Sequence, residues 1–436
     1  MSKQRGRSSD ANSLFKSSAF ARYFSSIAVR AFGTSLSSVA LPVLVVGVLG
    51  ASATEVGFVN AAQFIPYAAV GLFAGVYVDR WHRQHVLVWA SIGRALSLAA
   101  IPLLWVFGHL TIGALVVLLL IFGTFSVFGF AATQSLLPQI VERRALRAAN
   151  ARLDQAEALG QTAGPAIGGT LVGFLGAPIA IAIDAVTYVL DAILIAGLRL
   201  RAPAAAGQAK RSLRREINEG LRALYTHRIL APLAASTHVW FVANAAAITV
   251  LALFALRTLE FSPFLYGLLF AAGGLANLVG ATFAAPVGAK LGSGRTITAS
   301  RALYPIGWTL LALAPVNDTE GTSVAALVLV FTGFAVQGFA GGIENANEMS
   351  FRQAVTPDLL LGRVNGTMRS VNRTMAAGGA LLGGVVATLL GVRITLFILV
   401  GVFLLAFCIA LCSPLRSARD DEDEPEATHP EPPSHS

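Results

Sequence analysis

The stretch Gly160-Gln-Thr-Ala-Gly164-Pro165-Ala-Ile-Gly168-Gly169 decides the fold of this chain. Four glycines and a proline lie in an apolar segment that otherwise has the composition of a membrane-spanning helix. Glycine removes side-chain bulk, so another helix can approach backbone to backbone, while proline deletes a backbone hydrogen bond and kinks or weakens the helix. The stretch therefore predicts a spanning helix that bends against a neighbour at a defined place, as a membrane protein with moving parts requires.

The composition of the whole chain is that of a polytopic membrane protein. Of its 436 residues, 55% are hydrophobic and 13% are charged, and the mean hydropathy is +0.68. About twelve apolar stretches reach the roughly 20 residues that a span needs, which predicts an all-α protein without the short alternating strands of an outer-membrane barrel. The predicted spans are 20–49, 54–78, 84–107, 110–133, 150–175, 178–199, 231–256, 262–288, 296–315, 322–345, 366–390 and 392–414.

The net charge of +9 follows from topology and does not indicate a nucleic-acid partner. When the loops alternate between the two faces, all but five of the 32 Lys and Arg residues lie on or beside one face. The five others are Arg257 and Arg393 in loops of the opposite face and Arg30, Arg94 and Arg301 within spans. By the positive-inside rule, this asymmetry predicts a cytoplasmic (inner) membrane protein with both termini in the cytoplasm.

The chain divides into two halves joined by a polar linker. The predicted parts are an N-terminal tail over 1–19, a six-helix bundle over 20–199, a linker with an amphipathic helix over 200–230, a second six-helix bundle over 231–414 and a disordered acidic tail over 415–436. In the linker, Leu213, Ile217, Leu221 and Leu224 share one helix face, which predicts a helix on the membrane surface, with a regulatory role as the alternative.

The two halves are also related in sequence. A shift of 215 residues superposes Asn150 on Asn365, Gly164 on Gly379, and the pair Gly168-Gly169 on Gly383-Gly384, so the fifth span corresponds to the eleventh. Two equivalent six-helix bundles can rock against each other around a central site, which favours a transporter. Duplicated channels and membrane enzymes are the alternatives.

No catalytic constellation competes with transport. The two cysteines, Cys408 and Cys412, lie one turn apart in the last span, too few for a metal site, and the histidines are scattered. The sequence therefore predicts a protein that is not an enzyme and that has no metal or cofactor.

A short loop between the second and third spans carries the motif Gly75-Val-Tyr-Val-Asp79-Arg80-Trp-His-Arg83. A carboxylate at a helix end beside cationic residues needs a cation or a helix N-terminus to remain charged. The simpler interpretation is a solvated turn whose basic residues obey the positive-inside rule.

This motif resembles the loop motif of the major facilitator superfamily, at Gly75, Asp79, Arg80 and Arg83. The opening stretch is in turn similar to the fifth-span motif of the drug:proton antiporters of that superfamily, at Gly160, Gly164, Pro165, Gly168 and Gly169. The chain departs from these patterns at Ala151, where the motif has glycine, and at Gly288–Arg295, the second-half loop, which lacks the acid. The resemblance covers nearly the whole chain and implies the major facilitator fold, with twelve transmembrane helices in two pseudo-symmetric bundles.

Further segments resemble the branch of enterobactin exporters and macrolide efflux pumps. They include Leu137-Pro138-Gln-Ile-Val141, Asp184-Ala-Val-Thr-Tyr188 and Glu219-Gly220-Leu221-Arg222. This resemblance implies export of a bulky small molecule driven by proton influx. The fourth span carries no arginine over 122–133, so the mechanism of tetracycline-type pumps does not transfer directly.

Charged residues within spans are the candidates for proton coupling and for lining a cavity, because burying them is costly without a partner or water. Arg30, about 15 Å deep at helical rise, is expected to line the cavity; Arg94 and Arg301 are expected to snorkel or to pair between helices. Acids in a low-dielectric site can exchange protons near neutral pH. The candidates are Asp184 and Asp191, seven residues apart on one helix face, and Glu344, with Gln337 as a substrate contact.

Arg369 and Arg373 lie on adjacent turns of the eleventh span. In the superfamily, the loop-motif aspartate latches the two halves by pairing with this span, so the resemblance implies a latch between Asp79 and Arg369 or Arg373. A permanent pair would only stabilise the fold, whereas a latch must break when the protein opens.

These observations predict a proton-coupled exporter of a drug, macrolide or siderophore that works by alternating access. Its partners are the small-molecule substrate, protons and the lipid bilayer, its energy source is the proton gradient, and it acts as a monomer. An importer or uniporter of the same fold is the first alternative, and a transport-inactive receptor or scaffold is the second.

Overall fold

A computed structural model describes residues 14–133, 136–198, 213–316 and 323–418, apart from a few side chains within those ranges. Most of the two predicted tails and the first part of the linker lie outside the described residues. Each of the twelve predicted spans contains helix. In chain order they are Ser18–Pro42 with Val43–Val48, Ala53–Ala62 with Ile65–Arg80, Arg83–Val106, Ile112–Thr133, Leu146–Leu175, Ala177–Ala196, Leu230–Leu253 with Phe254–Thr258, Pro263–Leu291, Ser293–Ala312, Val324–Val355, Asp358–Leu390 and Val392–Leu411.

Nine of these spans, in the described part of the chain, are long and apolar enough to cross a membrane on those grounds alone. The second span falls short because it is two helices, Ala53–Ala62 and Ile65–Arg80. Pro66, in the first turn of the second helix, has no N–H to continue the first one. The fifth and ninth, Leu146–Leu175 and Ser293–Ala312, are the others; both are less apolar and carry charged residues.

The buried apolar residues show how the two halves meet. We call the membrane face where the linker joins the halves the linker side, and the other face the opposite side. One large cluster of buried residues includes Val39, Leu44, Val250 and Leu311, and so joins both halves on the opposite side. On the linker side the described residues form two separate clusters, one in each half. The halves therefore share their apolar core mainly on the opposite side.

Inside each half, the fifth and eleventh spans pack in the same way. A Cβ built on Gly164 would lie 2.3 Å from the Ser35 Cβ of the first span, and one on Gly379 would lie 2.2 Å from the Val242 carbonyl oxygen of the seventh. Such distances exclude any side chain, so glycine is what lets these helices touch. The sequence repeat thus corresponds to a repeat in packing.

Between the halves, two pairs of helices cross at glycines, and the two places are related by the same repeat; we call them the glycine crossings. At the first, a Cβ on Gly169 would lie 2.4 Å from the carbonyl oxygen of Pro263 and 3.1 Å from the Cα of Gly267, in the eighth span. At the second, a Cβ on Gly384 would lie 2.5 Å from the carbonyl oxygen of Ala53 and 2.9 Å from the Cα of Gly57, in the second span. The halves therefore touch backbone to backbone at two equivalent places.

Pro165 is part of the first crossing. The fifth span runs as one helix from Leu146 to Leu175 through Pro165. The carbonyl oxygen of Pro165 lies 2.2 Å from a Cβ built on Gly267, and Ala380, its counterpart in the eleventh span, presents its carbonyl 2.8 Å from a Cβ on Gly57. The proline thus lies where the eighth span presses on the fifth.

The ends of the first and seventh spans also correspond. Both finish as π-helix on the opposite side, over Val43–Val48 and Phe254–Thr258. Arg257 donates to the carbonyl oxygens of Val46, at 3.3 Å, and Ala51, at 3.0 Å. This arginine satisfies carbonyls that a helix end leaves without partners, and it joins the two halves on that side.

The linker helix, Leu213–Thr226, packs on the eleventh span. Its place on the membrane surface stays a prediction. Leu224 is fully buried, and a Cβ on Gly220 would lie 2.6 Å from the Thr367 hydroxyl. Glu219 accepts a hydrogen bond from the Arg363 guanidinium. Because Gly220 has no side chain, the linker helix reaches the backbone of the second half.

Replacing Leu224 by alanine is expected to release the linker helix. Truncating a fully buried leucine costs about 2–5 kcal/mol, so we expect trypsin to cleave after Arg222 about ten times faster or more. The matched control is Leu221→Ala, one turn away and 36% exposed, which should change little. Equal cleavage rates in the two variants would contradict the docked arrangement.

Candidate functional site

Asp191 of the sixth span is held in the first half by donors from two other spans. Its carboxylate accepts hydrogen bonds from Ser26 of the first span and from Ser91 of the third. The Arg94 guanidinium lies 3.9 Å from it and also donates to Ser91, at 3.0 Å. Arg94 is 4% exposed and lies 4.6 Å from the centre of the Tyr188 ring. Of the two alternatives for Arg94, the structure therefore shows the inter-helix pair.

Asp184 lies two turns away on the same helix, in different surroundings. It is 1% exposed and accepts hydrogen bonds from the hydroxyls of Ser37 and, at 3.1 Å, Thr187. Among the described residues, no cationic nitrogen lies within salt-bridge distance of its oxygens. Gly33 of the first span makes room for this carboxylate, because a Cβ there would lie 2.3 Å from its Oδ1.

Arg30 is only partly buried, and its guanidinium lies 3.7 Å from the Glu157 carboxylate of the fifth span. It belongs to a polar stripe of the first span whose other members are Thr34, Ser37 and Ser38. Thr34 and Ser38 are exposed, and the Thr34 hydroxyl lies 3.2 Å from that of Tyr188. Polar groups on such a stripe require water or polar partners within a membrane.

The second half contains a corresponding buried arginine. Arg301 of the ninth span, 1% exposed, donates from Nε to Glu344 of the tenth at 2.8 Å. It also donates to the hydroxyls of Ser236 and Thr237 in the seventh span and lies 3.6 Å from the Glu348 carboxylate. Of the two alternatives for Arg301, snorkelling or pairing between helices, the structure shows the pair between helices. One guanidinium thus joins three helices, as a buried charge requires.

The tenth span continues this charged face towards the linker side. Glu348 lies one turn after Glu344 and pairs with Arg352 one turn further, at 3.2 Å. The second oxygen of Glu344, Oε2, is buried and accepts no hydrogen bond within the described part of the chain. Gln337, two turns before Glu344, donates to the carbonyl oxygen of Tyr304 at 2.8 Å. The amide of Gln337 therefore has a structural partner and is largely buried.

His238 connects this region to the linker helix. Its Nδ1 lies 2.6 Å from Asn372 Oδ1 in the eleventh span, and its Nε2 lies 2.8 Å from the hydroxyl of Tyr225. Burial raises the pKa of the Tyr225 phenol above its ordinary value, so the phenol stays protonated and can donate to the histidine. The linker helix is thereby joined to the polar interior of the second half.

The two arginines of the eleventh span reach into the first half. The Arg369 guanidinium lies 3.8 Å from the centre of the Phe130 ring in the fourth span. Arg373 lies 5.4 Å from the ring centre of Phe64 and 5.6 Å from that of Tyr67, both in the second span. Cations attract aromatic faces at such distances, so both arginines make contacts between the halves.

The predicted loop motif is described only in part. The structure gives the backbone of Gly75, Asp79 and Arg80 as the end of the helix Ile65–Arg80, but their side chains lie outside what it describes. Arg83 begins the third span. The structure therefore does not place Asp79 against Arg369 or Arg373.

Sequence reasoning missed the hydroxyl groups that complete both clusters. Those in contact with the buried charges are Ser26, Ser37, Ser91, Thr187, Ser236 and Thr237. A signal was present, since Ser91 lies three residues before Arg94 and therefore on the same face. Thr187 lies three residues after Asp184 on the same helix, which is a second signal of this kind. No such spacing relates Ser26, Ser37, Ser236 and Thr237 to their partners, because they come from other helices.

Comparisons with known proteins agree with this architecture. Residues 10–436 match the profile of the family described as transmembrane secretion effector. The chain is 27% identical to the multidrug efflux pump Tap of Mycolicibacterium fortuitum over 394 residues, which cover 88% of this chain and 92% of the pump. It is 24% identical to macrolide efflux protein A of Streptococcus pyogenes over 375 residues, or 84% of this chain and 87% of that protein.

Solved structures are similar in fold. The nucleoside transporter NupG gives a TM-score of 0.72 at 14% identity and covers 91% of this chain and 98% of its own. A bacterial homologue of the iron transporter ferroportin, in an inward-facing state, gives 0.69 at 15% identity and covers 92% and 99%. At such identities the likeness concerns the fold alone.

Proposed function

Since this chain belongs to the transmembrane secretion effector family of the major facilitator superfamily, we propose that it is a proton-driven antiporter that exports amphipathic small molecules. Drugs, macrolides and siderophores are the proposed substrate classes. We propose that it works by alternating access. The main observation in support is the pair of glycine crossings, Gly169 with Gly267 and Gly384 with Gly57. Smooth backbone contacts of this kind let two bundles reorient without interlocked side chains.

The proposed orientation places the linker side in the cytoplasm, with both termini there and the protein in the inner membrane. The support is the excess of Lys and Arg on that side, including Arg144, Arg147 and Arg222. In this orientation the shared apolar core closes the outer face. The described arrangement is then the one in which an exporter takes up its substrate.

Proton coupling is supported by acids buried among the spans. Asp184, Asp191 and Glu344 are each at most 5% exposed. A carboxylate in such a site exchanges its proton at a pH set by its immediate partners. We propose that one of these acids carries the proton, that Arg30 and Gln337 are contacts of the cavity, and that the two bundles move as units within a monomer.

The proposed latch joins Asp79 to Arg369 or Arg373 on the cytoplasmic side. Its support is that both arginines already lie against rings of the first half. In this proposal the pair forms when the cytoplasmic side closes and breaks when it opens.

Replacing Asp79 by asparagine is expected to abolish proton-driven efflux while membrane insertion stays normal, because the arginines lose the partner that holds the cytoplasmic side closed. Efflux is measured in inverted vesicles and insertion by the amount of protein in the membrane fraction. The matched control is Glu142→Gln, another acid on the cytoplasmic side, whose side chain is exposed beside Arg144. Efflux at the wild-type rate in Asp79→Asn would refute the latch.

Direction and coupling are tested in proteoliposomes with the macrolide erythromycin as the probe. An imposed proton gradient should drive erythromycin against its concentration gradient, in the direction opposite to proton flow. Movement in the same direction as the protons would favour an importer, and movement only down the erythromycin gradient would favour a uniporter. No flux of erythromycin or of a panel of other amphipathic compounds in any gradient would favour a receptor or scaffold.

A further inference from the structure

Among the residues that the structure describes, three carboxylates are buried within the spans, and they differ in which groups neutralise them. Asp191 has a cation, Arg94, and two hydroxyl donors. Glu344 has a cation, Arg301, at 2.8 Å. Asp184 has two hydroxyl donors and, within the described chain, no cation at salt-bridge distance.

This difference decides which acid can exchange a proton. Protonating Asp191 or Glu344 would leave a buried guanidinium with its ion pair lost or weakened, and stranding a buried charge is costly. At Asp184 the protonated form is favoured instead. The ionised form has no counter-charge at salt-bridge distance within the described chain, so burial favours proton uptake. The neutral acid costs no ion pair.

The partners of Asp184 suit both of its protonation states. A serine or threonine hydroxyl can donate or accept a hydrogen bond. When Asp184 is ionised, Ser37 donates to its Oδ2; when a proton binds that oxygen, the carboxyl group donates to the Ser37 oxygen instead. A guanidinium, which only donates, cannot adapt in this way.

The first span also offers a route to this acid. Ser37 is partly exposed and lies on the polar stripe with Arg30, Thr34 and Ser38. Exposed polar groups in a span require water or polar partners, and in this proposal the stripe faces the aqueous cavity between the two halves. Because Gly33 carries no Cβ, the first span can approach the Asp184 carboxylate closely at this position.

The two arginines near Asp184 each form an ion pair with another acid. Arg94 of the third span acts on Asp184 directly, and Arg94 and Arg30 act on Tyr188, one turn along the helix from Asp184. Asp191 lies two turns along the same helix. Arg94 pairs with Asp191, and Arg30 pairs with Glu157 of the fifth span. The field of Arg94 reaches Asp184, but its guanidinium is bound to the other aspartate.

We propose that Asp184 takes up and releases the transported proton, with Ser37 as its contact to the cavity, while Asp191 and Glu344 remain ionised as partners of Arg94 and Arg301. A proton from cavity water bonds to the Asp184 carboxylate on uptake and returns to water on release, and no other bond changes. This assignment rests on the proton coupling proposed above.

The test measures erythromycin and proton movement together in proteoliposomes carrying a pH-sensitive dye. In Asp184→Asn, the number of protons moved per erythromycin should fall at least tenfold, because the amide keeps the size and an acceptor oxygen but binds no proton. Asp191→Asn and Glu344→Gln should lower thermal stability and leave that ratio near the wild-type value. An unchanged ratio in Asp184→Asn, or loss of the ratio in one of the other two instead, would overturn the assignment.

A second readout does not depend on transport. In pH-difference infrared spectra of the purified protein, a protonated carboxylic acid gives a carbonyl band, which should titrate in the wild type and vanish in Asp184→Asn. Asp184→Glu should restore a shifted band. Persistence of the original band in Asp184→Asn overturns the assignment, whereas wild-type protein that moves erythromycin but no protons contradicts the proposed antiport itself.

Discussion

The substitution Gly169→Leu is expected to hold the protein open on the opposite side and to abolish transport. A Cβ there would lie 2.4 Å from the Pro263 carbonyl oxygen, so the first crossing cannot close around a larger side chain. Overpacking of this kind costs about 1–3 kcal/mol or more, which corresponds to a shift of roughly 5- to 150-fold between the two conformations. Because the closed arrangement is part of the proposed alternating-access cycle, the rate of efflux should fall as well.

The measurement is the rate at which a thiol reagent labels Thr388→Cys, in a background without Cys408 and Cys412. Thr388 lies between the halves, with its hydroxyl 2.7 Å from that of Thr54. The control is Gly173→Leu, one turn later on the same helix, where a Cβ meets nothing within 4 Å. Faster labelling and lost efflux should appear in Gly169→Leu only; equal behaviour of the two variants would show that the crossing is not where the halves close.

The substitution Arg301→Met is expected to lower the free energy of unfolding by about 3–5 kcal/mol, the usual result of breaking a buried ion pair. Arg301 joins the seventh, ninth and tenth spans, and its loss leaves Glu344 buried without its cation. Reversible unfolding in mixed micelles measures this effect. Arg295→Met, on the exposed face of the same helix, should stay within about 0.5 kcal/mol of the wild type.

The double variant Arg301→Met, Glu344→Met separates loss of the ion pair from loss of packing. Two apolar side chains of similar volume often match or exceed the stability of a buried pair. We therefore expect the double variant to recover more than half of the stability that Arg301→Met loses. A double variant as unstable as the single one would mean that the contacts of Arg301 with Ser236 and Thr237, rather than its charge pairing, hold the second half together.

The sequence predicted those features that depend on the order of residues within one segment or on the repeat between the two halves. The positions of the twelve spans were predicted from apolar stretches, and each contains helix. The correspondence of Gly164 with Gly379 was predicted from the sequence repeat, and both glycines pack against a neighbouring span. The break before Pro66 was missed, since the hydropathy of the second span does not change there. Proline at that place interrupts hydrogen bonding without making the segment polar.

The partners of the buried charges could not be read from the sequence. Asp184 and Asp191 lie on one face of one helix and both accept hydrogen bonds from hydroxyls, yet within the described chain only Asp191 has an arginine at salt-bridge distance. That difference arises from how the first and third spans pack on the sixth, which no local pattern encodes. The same holds for Arg301, whose contacts come from helices more than 40 residues away in the chain.

The two glycine crossings have a mechanical consequence. Two fixed contact points between rigid bodies leave a single rotational degree of freedom, about the line that joins them. The line here runs between the Gly169–Gly267 and Gly384–Gly57 contacts. While both crossings are closed, sliding or twisting of one half against the other would separate at least one of them, so in the closed arrangement the halves can only tilt about this axis.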